Sequence, residues 1–262
     1  MNEISVGTGP FVDHVSIVRR IWGTGDTILF IFAGAAAEFA LNKAVDWLYF
    51  TGRLPADPLG RLFSTVEYAR RIVFSDRAGA YRAIDSMATI HAAVEEKRGR
   101  AIPDWAYRDV LFMLIDYSIR SFEVLERRLG PEEQEEVFDV FHRVGDRMGV
   151  RGLPITYTDW LTARKQHLHD DLHPSRYTAD LFRQYRKHLG LGRYLLLREA
   201  QKMVVPGRVR RMLGFRGRSL VRPLLVVYKF GRRVRLDWVL KTLLLPPAYR
   251  RQIMALDQVP KA

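Results

Sequence analysis

The sequence has no cysteine among its 262 residues. This absence excludes disulfide frameworks, cysteine-ligated zinc or haem, and thiolate nucleophiles. Histidine, carboxylates, hydroxyls and arginine are left to carry any chemistry. The sequence also lacks a run of about 20 apolar residues, the length that spans a bilayer. Its most apolar stretch, residues 27–41, is shorter and contains Glu38, so it predicts a buried helix.

Sustained alternation of apolar and polar residues, the pattern of half-buried strands, is also missing, and no Asn-Gly or Asp-Gly hairpin turn occurs. Apolar positions instead recur every three or four residues, which is typical of amphipathic helices. The pattern therefore predicts an all-α fold. A di-iron bundle is disfavoured because it needs two Glu-x-x-His motifs, and the chain has none.

Turn residues place the predicted helix boundaries. An Asp-Pro pair at 57–58 suits the cap and first position of a helix that ends near residue 74. A second helix is predicted over 76–96 and a third over 104–125, which is apolar nearly all round and hence central. The third contains Asp116, and a buried carboxylate must be paired or hydrogen-bonded. Further helices are predicted at 131–149, 156–171, 176–189, 193–204, 206–213, 218–230 and 234–256.

The net charge of +13 is concentrated at one end of the chain. Residues 200–262 contain 15 Lys and Arg and 2 acidic residues, whereas residues 1–199 contain 27 of each. Aliphatic side chains, Tyr228 and Trp238 separate these cations, a pattern typical of a segment that lies on an anionic membrane surface. Packing of the apolar side chains onto the neutral body explains the same pattern. Nucleic-acid binding is disfavoured because the segment is unusually aliphatic for a phosphate-tracking surface.

His91 has the most informative setting of the seven histidines. Ile90 and Val94 make its surroundings apolar, and Ala92 and Ala93 leave room beside the ring. One imidazole on an apolar helix face suits a haem axial ligand. A core histidine satisfied by one hydrogen bond gives the same pattern, and the spacing alone favours that simpler interpretation.

Arg61 and Thr65 lie four residues apart and therefore project from one face of a helix. Together they offer a fixed positive charge and a hydroxyl, which can polarise oxygen or orient an acidic group. The spacing alone favours an ordinary first-turn arginine and a threonine bonded to helix carbonyls.

His169 and His173 are likewise four residues apart and could bind zinc from one helix face. No third ligand is evident in the sequence. A solvated polar segment is therefore the favoured interpretation of this pair.

Five segments occur in an order that resembles one known family. They are FAGAAAEFALN (32–42), DPLGRLFST (57–65), IVFSDRAGA (72–80), IHAAV (90–94) and DVLFMLIDYSIRSFE (109–123). Over about residues 20–200, they resemble the catalytic domain shared by latex-clearing rubber oxygenases and the MpaB-type oxygenases of mycophenolic acid biosynthesis. The resemblance implies an all-α, globin-like core that holds haem b and uses dioxygen to oxidise a hydrophobic, often isoprenoid, substrate.

The resemblance also implies roles for individual residues. His91 corresponds to the proximal haem ligand, and Arg61 and Thr65 match the distal arginine and threonine of the rubber oxygenases. The family's distal lysine is Ser64 here, so an amine able to cap the iron is missing. In the family, a glutamate of the distal pocket is proposed to act as a base. Glu38 is expected to take that role here.

Two residues of the predicted central helix are expected to support the cofactor. Asp116 matches a recurrent acid of the family and is expected to hold an imidazole or an arginine. Arg120, one turn later, is expected to contact a haem propionate. One departure is FAGA at 32–35, where many relatives have an Ala-His-Pro segment.

The expected protein is a haem b oxygenase with a catalytic domain over 1–199 and a basic helical extension, 200–262, packed on it. Its expected partners are a hydrophobic small molecule, dioxygen and an anionic membrane surface. We expect it in the cytoplasm, free or peripheral at the inner face of the membrane, because the polar N-terminus lacks a signal-peptide pattern. The alternative is a non-enzymatic helical protein that binds a membrane surface or a hydrophobic partner through 200–262.

Overall fold

A computed structural model describes residues 9–52, 56–220, 223, 225 and 255–256. Within these ranges the chain forms helices and no strand, apart from two isolated bridges, so the predicted all-α class is confirmed. The helices are α1 (Ile17–Trp22), α2 (Gly25–Phe39), α3 (Val45–Phe50), α4 (Pro58–Phe74), α5 (Arg77–Arg98), α6 (Asp104–Leu125), α7 (Pro131–Arg147), α8 (Tyr157–Asp170), α9 (Arg176–Val204) and α10 (Gly207–Met212).

The helix starts follow from local capping, as predicted. Asp57 accepts a hydrogen bond from the backbone N–H of Gly60 at 2.8 Å, and Pro58 occupies the first turn of α4. The carboxylate of Asp76 caps α5 in the same way, accepting from Gly79 at 2.6 Å. Both contacts satisfy N–H groups that the first turn of a helix leaves unpaired.

The helices predicted over 176–189 and 193–204 form one element, α9. Its only non-helical residue is Gly190, with φ 74° and ψ 166°, which kinks the helix. Glycine adopts this positive φ without the steric penalty of a side chain. The predicted helices over 218–230 and 234–256 lie almost entirely outside the described residues.

The core is built around α6, which makes its most extensive contact with α2. Large side chains such as Trp22, Ile115 and Phe122 are at most 2% exposed at this centre. Indole Nε1 of Trp22 donates to the hydroxyl of Ser118 at 3.1 Å, so the buried indole keeps a polar partner. The prediction that the helix over 104–125 is central is confirmed. A globin-like arrangement of the helices stays an expectation.

Several apolar side chains in the described part of the basic C-terminal region face the protein, although Leu220 is 81% exposed. Val204, Val209 and Phe215 are buried in the main hydrophobic core, and so is Leu256. Arg70 donates to the backbone oxygen of Leu256 at 2.6 Å. These residues therefore favour packing onto the body over a membrane face, and the remainder of 200–262 stays a prediction. Among the described helices, none is long and apolar enough to cross a bilayer.

Candidate functional site

Helices α4 and α5 pack against each other, and each has one end that the core does not fully cover. In α5 the fully buried residues are Ala80, Ala83 and Ile84, and the later half of the helix is half-buried or exposed. In the first turns of α4, Gly60, Arg61, Phe63, Ser64 and Thr65 are also half-buried. These two ends carry Arg61, Thr65 and His91.

Arg61, Ser64 and Thr65 form one polar group on α4. Nη1 of Arg61 donates to the hydroxyl of Ser64 at 3.2 Å and to that of Thr65 at 3.4 Å. Both hydroxyls donate in turn to the backbone oxygen of Arg61, at 2.8 and 3.2 Å. This ring of contacts orients the guanidinium. Thr65 therefore bonds to a helix carbonyl, as the simpler interpretation expected, and Arg61 also offers an oriented positive charge.

His91 is half-buried on α5, and its ring Nδ1 is buried with no hydrogen-bond partner among the described residues. Burial lowers the pKa of His91, the positive charge of Arg61 lowers it further, and Glu95 opposes them more weakly. The imidazole is consequently neutral at pH 7. Buried polar atoms are nearly always hydrogen-bonded, so this unpaired ring nitrogen is unusual.

Tyr107 of α6 packs edge-on against the His91 ring, with centroids 5.3 Å apart. Its hydroxyl donates to Glu95 at 3.2 Å, and burial together with that carboxylate raises the pKa of Tyr107. Glu95 and Tyr107 also line a cavity of about 450 Å³, together with small side chains of α5 such as Ala88 and Ala92. Its volume falls in the range of small-molecule sites.

A second group of polar side chains is buried in the core around Glu38. Its carboxylate, 0% exposed, receives two hydrogen bonds from Arg164, at 2.5 and 2.7 Å, and one from the hydroxyl of Tyr117 at 2.8 Å. Nε2 of His167 lies 2.8 Å from the same carboxylate. Burial alone would raise the pKa of Glu38, but the charge and hydrogen bonds of Arg164 hold it well below its usual range.

Asp116 extends this cluster towards the surface. Its Oδ2 accepts from Nε and Nη2 of Arg164 at 3.1 and 2.8 Å, and its Oδ1 accepts from Arg120 at 2.6 Å. Arg164 therefore bridges two buried carboxylates, Glu38 and Asp116. Burial opposes its charge, but these two carboxylates together raise the pKa of Arg164. The prediction that a buried Asp116 must be paired is confirmed.

The other ring nitrogen of His167 faces Asp109. Nδ1 of His167 is in contact with Oδ1 of Asp109, and Oδ2 of Asp109 accepts from the amide of Asn42 at 2.7 Å. Burial alone would lower the pKa of His167, but Asp109 and Glu38 raise it. We name these residues, Glu38, Asn42, Asp109, Asp116, Tyr117, Arg164 and His167, the buried cluster.

The structure separates the predicted site residues into two groups. Arg61, Thr65 and His91 lie together at the ends of α4 and α5, whereas Glu38, Asp116 and Arg120 meet around Arg164. Tyr107, which contacts His91, precedes Arg120 by 13 residues. At 1.5 Å per residue, Arg120 lies about 20 Å further along α6.

Sequence reasoning missed the partners that α8 supplies to the buried cluster. Trp160, Arg164 and His167 are the buried residues of α8 and share one face, with Asp171 following four residues later. That spacing is a weak signal, because charged side chains rarely face a core. The pair His169 and His173 is exposed, and α8 ends at Asp170, so the two do not share a helix face.

These features define an all-helical protein that has two polar sites. One is an imidazole beside a cation, with its Nδ1 unpaired among the described residues, and the other is a separate buried cluster of ions. Over residues 19–236 the sequence matches the family described as ER-bound oxygenase mpaB/B'/Rubber oxygenase, catalytic domain. The chain therefore belongs to this family, as the resemblance indicated, and the membership supports an oxygenase function. No curated protein and no solved structure matches the chain.

Proposed function

We propose that the protein is a haem b-dependent oxygenase that acts on a hydrophobic, isoprenoid or lipid-like small molecule with dioxygen. The observation that carries the proposal is the half-buried, neutral imidazole of His91, whose Nδ1 has no hydrogen-bond partner in the described part of the chain. Neutral imidazole is the form that ligates iron. The oxygenase family membership supports the proposal independently.

The residues at the ends of α4 and α5 fit haem by their chemistry. His91 would ligate the iron. The small side chains Ala88 and Ala92 lie close to it in sequence on α5 and line the cavity next to Tyr107, which contacts the His91 ring. Bound haem iron would supply the activation of dioxygen. The protein would supply the groups that hold the cofactor and orient the substrate.

In this proposal Arg61 and Thr65 form the polar side of the site. Arg61 is held by the two hydroxyls on its own helix, so its charge is oriented before any ligand arrives. Ser64 stands where the family's lysine is expected and serves as an acceptor for Arg61. A preoriented cation and a hydroxyl stabilise negative charge that develops on oxygen.

We assign Glu38 and Asp116 a positioning role. A carboxylate whose pKa is held well below its usual range is a weak proton acceptor, so the base role expected for Glu38 is replaced in this proposal. Both carboxylates instead fix Arg164 between α2, α6 and α8. Arg120 is left out of the haem site because of its distance along α6.

The test is an absorption spectrum of the full chain after haem is added. We expect the wild-type protein to develop a Soret band that the His91→Ala variant lacks, while its helical circular dichroism is retained. His169→Ala is the matched control, because His169 is exposed, and it should keep the band. A colourless wild-type protein with ample haem, or a His91→Ala band equal to that of the wild type, would overturn the proposal.

A further inference from the structure

A small group of ligand-type side chains lies at the Nδ1 side of His167. One ligand atom from each of Asp109, His167 and Asp171 lies within 4.8 Å of those of the other two. Nδ1 of His167 contacts Oδ1 of Asp109 and lies 4.0 Å from Oδ2 of Asp171. We propose that these three residues bind one divalent transition-metal cation. The proposal does not depend on haem.

The side chain of His167 offers a buried ligand atom. The residue is 3% exposed, and its Nδ1 contacts Oδ1 of Asp109 without a hydrogen bond of regular geometry within the described residues. This nitrogen faces the carboxylates of Asp109 and Asp171. A cation at their centre would give Nδ1 a ligand bond and would neutralise two carboxylates that lie close together.

The surrounding contacts are those that a metal ligand set requires. Nε2 of His167 lies 2.8 Å from Glu38, which can accept its N–H, and Asp109 accepts from Asn42 at 2.7 Å. Histidines that bind metals usually donate their other N–H to a carboxylate, and ligating carboxylates are themselves hydrogen-bonded. Glu38 and Asn42 therefore orient two of the three ligands.

The donor set selects the class of metal. One imidazole and two carboxylates suit zinc, iron or manganese, with metal–ligand distances of about 2.0–2.2 Å. Such distances place neighbouring donor atoms roughly 3–3.5 Å apart. Nδ1 of His167 and Oδ1 of Asp109 are closer than this, so a cation that binds between them must push them apart. Asp171 follows the last turn of α8 and its side chain is 25% exposed, so a rotation can bring it in from 4.0 Å.

The experiment titrates Zn²⁺ into the full-length protein in competition with a chromophoric chelator. Zinc is the probe because it binds nitrogen and oxygen sites more tightly than iron(II) or manganese, so a site for either of those metals should also bind zinc. We expect one equivalent of Zn²⁺ to bind. Asp171→Asn should weaken that binding by at least about 10–100-fold, the loss seen even for residues that only support a ligand.

Two controls separate this site from surface binding. Asp170→Asn removes the neighbouring carboxylate, which contacts the exposed His169 at 2.6 Å, and His169→Ala removes that histidine. Both variants should bind Zn²⁺ within about twofold of the wild type. Circular dichroism confirms that Asp171→Asn, a change at a partly exposed position, stays folded.

Three results would overturn the proposal. They are a wild-type protein that binds no Zn²⁺, an Asp171→Asn variant that binds as tightly as the wild type, and a loss of binding in either control as large as that in Asp171→Asn. None of these results bears on haem, since the haem test is read from the Soret band and His91.

Discussion

Replacement of Arg164 by methionine tests the energetic role of the buried cluster. The substitution keeps an apolar stem of similar length but removes the cation that bridges Glu38 and Asp116. Glu38 would keep its contacts with Tyr117 and His167, and Asp116 would keep Arg120. The carboxylates of Glu38 and Asp116 would then carry more negative charge in the core than the remaining cations can balance.

The burial of these side chains sets the magnitude. The side chains of Arg164, Glu38 and Asp116 are 5%, 0% and 10% exposed. Removal of one partner from a buried ion pair costs about 3–5 kcal/mol, because the other charge is left without compensation. For a chain of this size that loss lowers the Tm by roughly 6–20 °C.

Arg120→Met is the matched control, because Arg120 pairs with the same carboxylate of Asp116 but its side chain is 40% exposed. Asp116 keeps Arg164 in this variant and the Arg120 side chain is partly solvated, so the loss should be much smaller, about 0–1 kcal/mol. Urea titration followed by circular dichroism gives the free energy of unfolding of both variants. An Arg164→Met variant that loses no more stability than Arg120→Met would contradict the stabilising role of Arg164 between the two buried carboxylates.

Three further predictions use stability as their measurement. Gly34→Ala should lower the free energy of unfolding by about 1–3 kcal/mol through overpacking, because a Cβ there would lie 2.2 Å from the ring of Tyr117. Gly192→Ala is the control, since a Cβ at that position meets open space and should cost no stability. Equal urea midpoints for the two variants would contradict this prediction. The lowered pKa of Glu38 contributes stability above its unfolded pKa of about 4.3 that is lost as the pH falls, so Glu38→Gln should flatten the acid limb of stability against pH. The raised pKa of His167 contributes stability below about pH 6.5, and this stability is lost as the pH rises through the pKa in the folded state. His167→Gln should therefore flatten the decline of stability above that pH. An unchanged slope in either the Glu38 or the His167 variant would contradict the corresponding prediction.

The boundaries of most helices from α4 onwards could be predicted because their causes are local, whereas α1 and α3 were not predicted. The Asp57 and Asp76 caps act within three residues of chain, and glycine punctuates α9 where the chain needs a positive φ at Gly190. Sequence periodicity carries the same local information for the central helix α6. These features need no knowledge of distant residues.

The buried cluster shows where such prediction ends. Glu38 and Asp116 could be placed on buried helices, and a partner for Asp116 could be required, but Arg164 lies 126 and 48 residues away from them in sequence. Arg164 becomes their partner only because α8 packs against α2 and α6. Charged residues are rarely buried, so a periodic pattern gives little reason to turn Arg164 and His167 inwards.

The proximity of His91 to Arg61 has the same origin. Each residue could be singled out on its own helix, but only the packing of α4 against α5 brings the cation close enough to lower the pKa of the imidazole. The exposed pair of His169 and His173 illustrates the reverse case, because their regular spacing suggested a shared face that the end of α8 removes.

The central claim is that His91 holds haem iron, and a cavity variant tests it most directly. His91→Gly removes the imidazole and leaves space that free imidazole can fill. We expect this variant, mixed with haem, to lack the Soret band of the wild type and to regain it when imidazole is added. A His91→Gly protein with the wild-type Soret band in the absence of imidazole would contradict the claim.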